Sequence, residues 1–159
     1  MKNKIGLIIS LLLLGYGLIR IGVGGALLGQ TFEIINFSDL NEAIQEVEQF
    51  LNVRASQQIV PFTITGYFIY IFTMGILLAI GAVGTIARSR KGFILLWIYL
   101  GMHAALFINF QQINPKIIVL ILQTILLMVL IYLRPSKPLA LKPKLLWSDA
   151  AITSNKLLF

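Results

Sequence analysis

The chain contains no cysteine. That excludes disulfides, thiol redox chemistry and cysteine-ligated metals, and it leaves the compartment open, because a cysteine-free chain tolerates either redox side. Charge is the second scarcity. Only 12% of the 159 residues are Asp, Glu, Lys or Arg, whereas a soluble domain uses roughly 25% to cover its surface. Most of this chain is therefore expected to be dissolved in lipid. Histidine occurs once, at His103. One imidazole cannot supply bis-histidine haem ligation, and no cysteine or intramembrane carboxylate completes a metal set. The lack of Asp and Glu in the apolar runs also argues against carboxylate-coupled proton or cation transport. Ser10 is the one clear serine within those runs, which argues against an intramembrane Ser–His protease. No Walker A, GxGxxG or HExxH pattern occurs, and no inverted repeat of the transporter kind is visible. The expectation is a chain with no enzymatic activity, no cofactor and no metal.

What is abundant is apolar: 58% of the residues are hydrophobic. They fall in four runs at about 5–29, 61–87, 92–110 and 115–133, each near the roughly 20 helical residues that cross a hydrocarbon core about 30 Å thick. Pro61 and Pro115 suit a first helical turn, where a missing N–H costs nothing, and Asn114 is placed to cap the last run. Pro135 disfavours helix at Arg134 and so ends it. The pattern predicts an all-α integral membrane four-helix bundle over 1–134, followed by a tail over 135–159.

Ten of the thirteen basic residues lie on one side of these runs: Lys2, Lys4, Arg88, Arg90, Lys91, Arg134, Lys137, Lys142, Lys144 and Lys156. Arg54 and Lys116 lie on the other side, and Arg20 is inside the first run. By the positive-inside rule both termini are expected in the cytoplasm, with loop 31–60 and the QQIN turn outside. Five of the six acidic residues fall in loop 31–60. The formal charge of +7 follows this orientation pattern and lacks the aromatic interleaving that reads bases, so no nucleic-acid partner is expected. The basic start before an apolar run resembles a signal peptide, but the run is long, and a retained anchor is expected.

Loop 31–60 has helical period. Leu40, Ala43, Ile44, Val47, Phe50 and Leu51 share one face of a helix expected at about 39–53, with Ser38 as N-cap and Asp39 and Glu42 at its positive start. Surface-lying membrane helices usually carry Lys and Arg on the polar face, and this one is acidic. It is therefore expected to cap the bundle, with partner docking as the alternative. Aromatic residues after Pro61 begin an interfacial belt. The tail is Pro- and Lys-rich at first and then apolar at Leu145, Leu146 and Trp147. It is expected to be extended, with loose contact to the anionic inner leaflet.

Arg20 is the one charge inside a run. At 1.5 Å per residue it lies about 22 Å from the inner edge, in the outer third of the core. Intramembrane ionisable groups usually face the interior and pair. Asn109 and Gln123 are the candidate partners, with Gln30, Glu33 and Asp39 closing the site from above. His103 shares a face with Tyr99, Phe107 and Phe110, where a flat ligand such as a quinone would fit. Small residues mark helix contacts in lipid. Gly15, Gly22, Gly25 and Gly29 form one stripe on the first run, with Gly17 and Gly24 on the face of Arg20. Gly75, Ala79 and Ala82 form a stripe on the second run, and Gly101 and Ala105 one on the third. The fourth run is bulky nearly all round, with Gln123 turned inward. The leading functional expectation is an accessory or assembly subunit of a larger membrane complex, with lipid and other membrane subunits or further copies of itself as partners. Two alternatives are an oligomeric small-solute or anion transporter using Arg20, Asn109 and Gln123, and a membrane enzyme or quinone-binding module centred on His103.

Overall fold

The computed structural model describes residues 2–111, 115 and 117–137. Asn114, Lys116 and the tail from residue 138 lie outside these residues, and so do the expectations attached to them. Among the described residues the chain is all-helical. Five α-helices follow in order: α1 (Lys2–Thr31), α2 (Ser38–Val53), α3 (Ile64–Ile86), α4 (Arg90–Asn109) and α5 (Ile117–Leu133), with a 3-10 turn at Ala55–Gln57. Helices α1, α3 and α4 are long and apolar enough to cross a membrane. Helix α5 is apolar but has 17 residues, or about 25 Å of rise.

The helix starts differ in detail from the sequence expectation. Thr63 caps α3, accepting from the Gly66 N–H at 3.1 Å, so Pro61 lies in the extended approach and not in the first turn. Pro115 precedes α5, and its carbonyl accepts from the Ile118 N–H at 3.1 Å. Ser38 is the first residue of α2 and not its cap. The cap position is Phe37, and the Ser38 hydroxyl turns to Asp39 at 3.2 Å.

Helix α1 lies beside α3, α3 beside α4, α4 beside α5, and α5 beside α1. The approach of α1 to α3 is close because small residues alternate across it. A Cβ built on Gly17 would come within 2.8 Å of the Ala79 nitrogen, one on Gly75 within 2.9 Å of the Ile21 nitrogen, and one on Gly24 within 3.1 Å of the Phe72 Cα. The expected α3 stripe is therefore at the contact, with Gly75, Ala79 and Ala82 buried. The expected α1 stripe is not. Among the described residues, Gly15 and Gly22 have nothing within 4 Å of a built Cβ, and neither does Gly101; Gly25 meets the Phe72 ring at 3.5 Å, and Gly29 the Ile35 side chain at 3.3 Å. Ala105 is exposed. Helix α1 carries glycine on two faces, and either satisfies the small-residue rule. The face chosen is the one that also brings Ile9, Ser10 and Leu13 into the interior.

The turn between α3 and α4 is tight. Arg88 adopts a left-handed conformation at φ 57°. The Ser89 N–H reaches back to the Gly84 carbonyl at 2.8 Å and the Arg88 N–H to Thr85 at 3.0 Å, the paired bonds of a Schellman ending. The two backbones touch at Gly84 and Gly92, where a Cβ on either would lie 2.5 Å from the other's backbone, and Leu96 fills the space over Gly81. Helix α5 buries one face, Gln123, Leu127 and Leu130, against the core of Leu13, Met74, Leu78, Leu96 and Tyr99. The face predicted for α2 is the one it turns inward: Leu40, Ala43, Ile44, Val47 and Phe50 are half-buried and Leu51 is buried. Phe50 meets Phe110 edge-on at 5.2 Å, and Phe110 in turn contacts Phe62 and Tyr67. Helix α2 thus lies over one end of the longer helices.

Candidate functional site

The polar residues of the interior fall into separate groups. The central one is built on Gln123. Its Oε1 accepts from the Tyr99 hydroxyl at 3.0 Å and lies 2.9 Å from His103 Nδ1. A carbonyl oxygen only accepts, so Nδ1 is the donor in this contact. The rings of Tyr99 and Phe107 flank His103 at 5.9 and 5.7 Å. Phe110, expected on the same face, packs instead with Phe50 and Phe62 under α2.

Arg20 joins this group through Tyr99. Its guanidinium lies 5.8 Å from the Tyr99 ring centroid and 5.4 Å from that of Tyr16. Among the described residues its one hydrogen-bond acceptor is the Met74 sulfur at 3.8 Å. The Arg20 Cβ and the Ile21 nitrogen stand beside Gly75, the middle residue of α3 (Ile64–Ile86). Arg20 is thus level with the middle of α3. The antiparallel register of α1 with α3 sets this level. Among the described residues no carboxylate pairs with the Arg20 guanidinium.

Asn109 does not meet Arg20 or Gln123. Its side chain accepts from the Val60 N–H at 2.7 Å and donates to the Val60 carbonyl at 3.1 Å, and its own carbonyl takes the Ile59 N–H at 3.1 Å. Asn109 pins the chain entering α3 to the end of α4. Beside it Ile59, Val60, Phe62, Tyr70, Ala105, Leu106 and Ile108 line an apolar groove of about 400 Å³. The residues expected to close the site from above are also elsewhere. Gln30 is buried, donates to Asn41 at 2.8 Å and accepts from the Phe37 N–H at 2.9 Å. Glu33 takes a left-handed turn at φ 59° after α1, and Asp39 bonds Ser38. The structure therefore brings together Arg20, His103 and Gln123, with Tyr99 as the link, and leaves Asn109 out. Tyr99 stands one turn before His103, and that spacing is the signal for it in the sequence.

A second polar group, missed by sequence reasoning, lies at the end of the helices opposite α2. Arg134 reaches from the end of α5 to the last carbonyls of α3, with Nε on Thr85 at 3.0 Å and Nη2 on Ile86 at 2.6 Å. There the guanidinium also meets the negative end of the helix dipole. Its Nη1 and the Nη2 of Arg88 converge on Asn3 Oδ1 at 2.9 and 2.8 Å. One turn inward, Thr85 donates to Ser10 at 3.0 Å. The signal was present, an arginine closing an apolar run before proline, but it reads equally as an orientation charge. This group is a helix clamp: its bonded donors go to backbone and amide oxygens, while Arg88 Nε is buried without a hydrogen-bond partner among the described residues. Compared with family models, with curated protein sequences and with solved structures, the chain matches none.

Proposed function

We propose that the chain is a small multi-pass membrane protein, a four-helix bundle capped outside the cytoplasm by α2, that serves as an accessory or assembly subunit without a catalytic centre of its own. The inverted surface supports membrane insertion. Ile8, Leu12, Ile19, Val23, Ile80, Ile108, Ile118 and Tyr132 are exposed, while Ser10, Thr85, His103, Asn109 and Gln123 are buried. Water would not tolerate so much apolar surface, and in lipid the polar groups must find partners inside. The split of basic residues supports cytoplasmic termini.

The observation that carries the assembly reading is the pair of uncovered glycines on α1. A mid-helix glycine costs roughly 1 kcal/mol relative to alanine, and nothing among the described residues uses the space above Gly15 or Gly22. A second helix approaching closely in lipid would use it. Tagged full-length chain, expressed at native level and purified in mild detergent, should bring down a stoichiometric membrane partner or further copies of itself. Gly15→Leu with Gly22→Leu should lose that association and leave the chain folded. A lone wild-type monomer, or a double variant that associates as well as wild type, sinks the reading. Because the chain has no native cysteine, Ser38→Cys and Ser89→Cys report sidedness directly. An impermeant maleimide should reach the first in intact cells and the second only after lysis.

A further inference from the structure

We propose that Arg20 is the receptor for the carboxylate of a small anion or of a membrane-borne acid, bound midway along α1, α3 and α4. The guanidinium has five N–H donors in a fixed fork. Among the described residues they meet one thioether sulfur and two aromatic faces. Nearby polar groups are spent or are themselves donors. Tyr99 gives its proton to Gln123, and the Gln123 oxygen already takes two contacts. The hydroxyls of Tyr16 and Tyr67 have no hydrogen-bond partner among the described residues. The site therefore offers donors and positive charge and lacks a negative acceptor.

A carboxylate supplies what is missing. Its two oxygens match the guanidinium fork, and its single charge cancels that of Arg20. A phosphate dianion would leave a net charge among apolar side chains, and a metal cation would be repelled. Arg20 is half-buried and Tyr16 is 36% exposed, so the site is reached along the side of α1 that carries Tyr16. The exposed Tyr16 ring beside the guanidinium offers an apolar surface to a hydrocarbon tail. This inference is independent of the assembly reading, and its test uses the chain alone.

Full-length protein in phosphatidylcholine nanodiscs is heated with dodecanoate, which partitions into the bilayer, or with butyrate, which stays in water. Dodecanol and butanol are the neutral controls. Dodecanoate should raise the unfolding temperature with saturation, because a ligand that binds only the folded state stabilises it, and dodecanol should not. A butyrate response as well identifies water-soluble carboxylates as the source, and its absence identifies bilayer acids. Arg20→Gln should abolish the carboxylate-dependent shift without lowering the ligand-free unfolding temperature. Arg20→Lys keeps the charge but loses the fork, so its dodecanoate affinity should fall about tenfold, which provides the reading if Arg20→Gln does not fold. The proposal is overturned if neither acid exceeds its alcohol control, if Arg20→Gln keeps the shift, or if the chain alone binds no carboxylate and Arg20 cross-links to an acidic residue of a membrane partner.

Discussion

Two glycines of α1, two residues apart, test the helix packing most sharply. Gly15 and Gly17 lie at nearly the same depth in one helix, so an alanine at either gains a similar propensity term of at most about 1 kcal/mol. They differ in what the new methyl meets. At Gly15 it enters open space, and at Gly17 it lands 2.8 Å from the Ala79 nitrogen, 3.1 Å from its Cα and 3.2 Å from its Cβ. Backbone cannot rotate away, so α1 and α3 must separate by several tenths of an ångström over the Gly17–Gly75–Gly24 contact. Overpacking of this kind costs about 1–3 kcal/mol. Gly15→Ala should therefore be neutral or stabilising by up to about 1 kcal/mol, and Gly17→Ala should fall about 1–3 kcal/mol below it. Reversible unfolding in bicelles, followed by circular dichroism, measures the difference, and the propensity terms cancel between the variants. Equal stabilities, or Gly15→Ala as the weaker protein, would refute the assigned α1–α3 face.

Removing the Gln123 side chain as Gln123→Leu leaves both Tyr99 and His103 without their acceptor. It should cost about 1–3 kcal/mol, from two interhelical bonds at about 0.6–1.7 each, and Tyr99→Phe should cost about half as much. A double-mutant cycle showing no coupling between the two refutes the network. Asn109→Leu should speed amide hydrogen exchange at Val60, whose N–H its side chain takes at 2.7 Å, while the middle of α3 stays protected. Unchanged exchange at Val60 refutes the side-chain anchor. Arg134→Ala should lower the unfolding temperature more than Arg90→Ala, because Arg134 binds the last carbonyls of α3 and each charge-assisted bond contributes about 1.5–3 kcal/mol when shielded from water. Equal effects would reduce Arg134 to an orientation charge.

Lengths, order and one-sidedness of the helices were legible in the residues. Apolar runs interrupted by proline and basic clusters set where α1, α3, α4 and α5 lie, because hydrophobicity and breaker residues act locally. The face of α2 was legible for the same reason, since Leu40, Ile44, Val47 and Leu51 recur at helical period and only one side can be shielded. Gln123 turning inward followed from being the polar exception on an apolar helix. Partner choice was not legible. Glycine on two faces of α1 satisfied the contact rule twice, and only the register with α3 selected Gly17 and Gly24 over Gly15 and Gly22. That register also set Arg20 level with Gly75, separated it from Asn109 and placed it over Tyr99. The chain alone thus specified which segments are helical and which residues are polar exceptions on apolar helices. Which polar groups meet depends on the relative rotation and sliding of packed helices, contacts made between residues distant in sequence, and only the folded arrangement decides it.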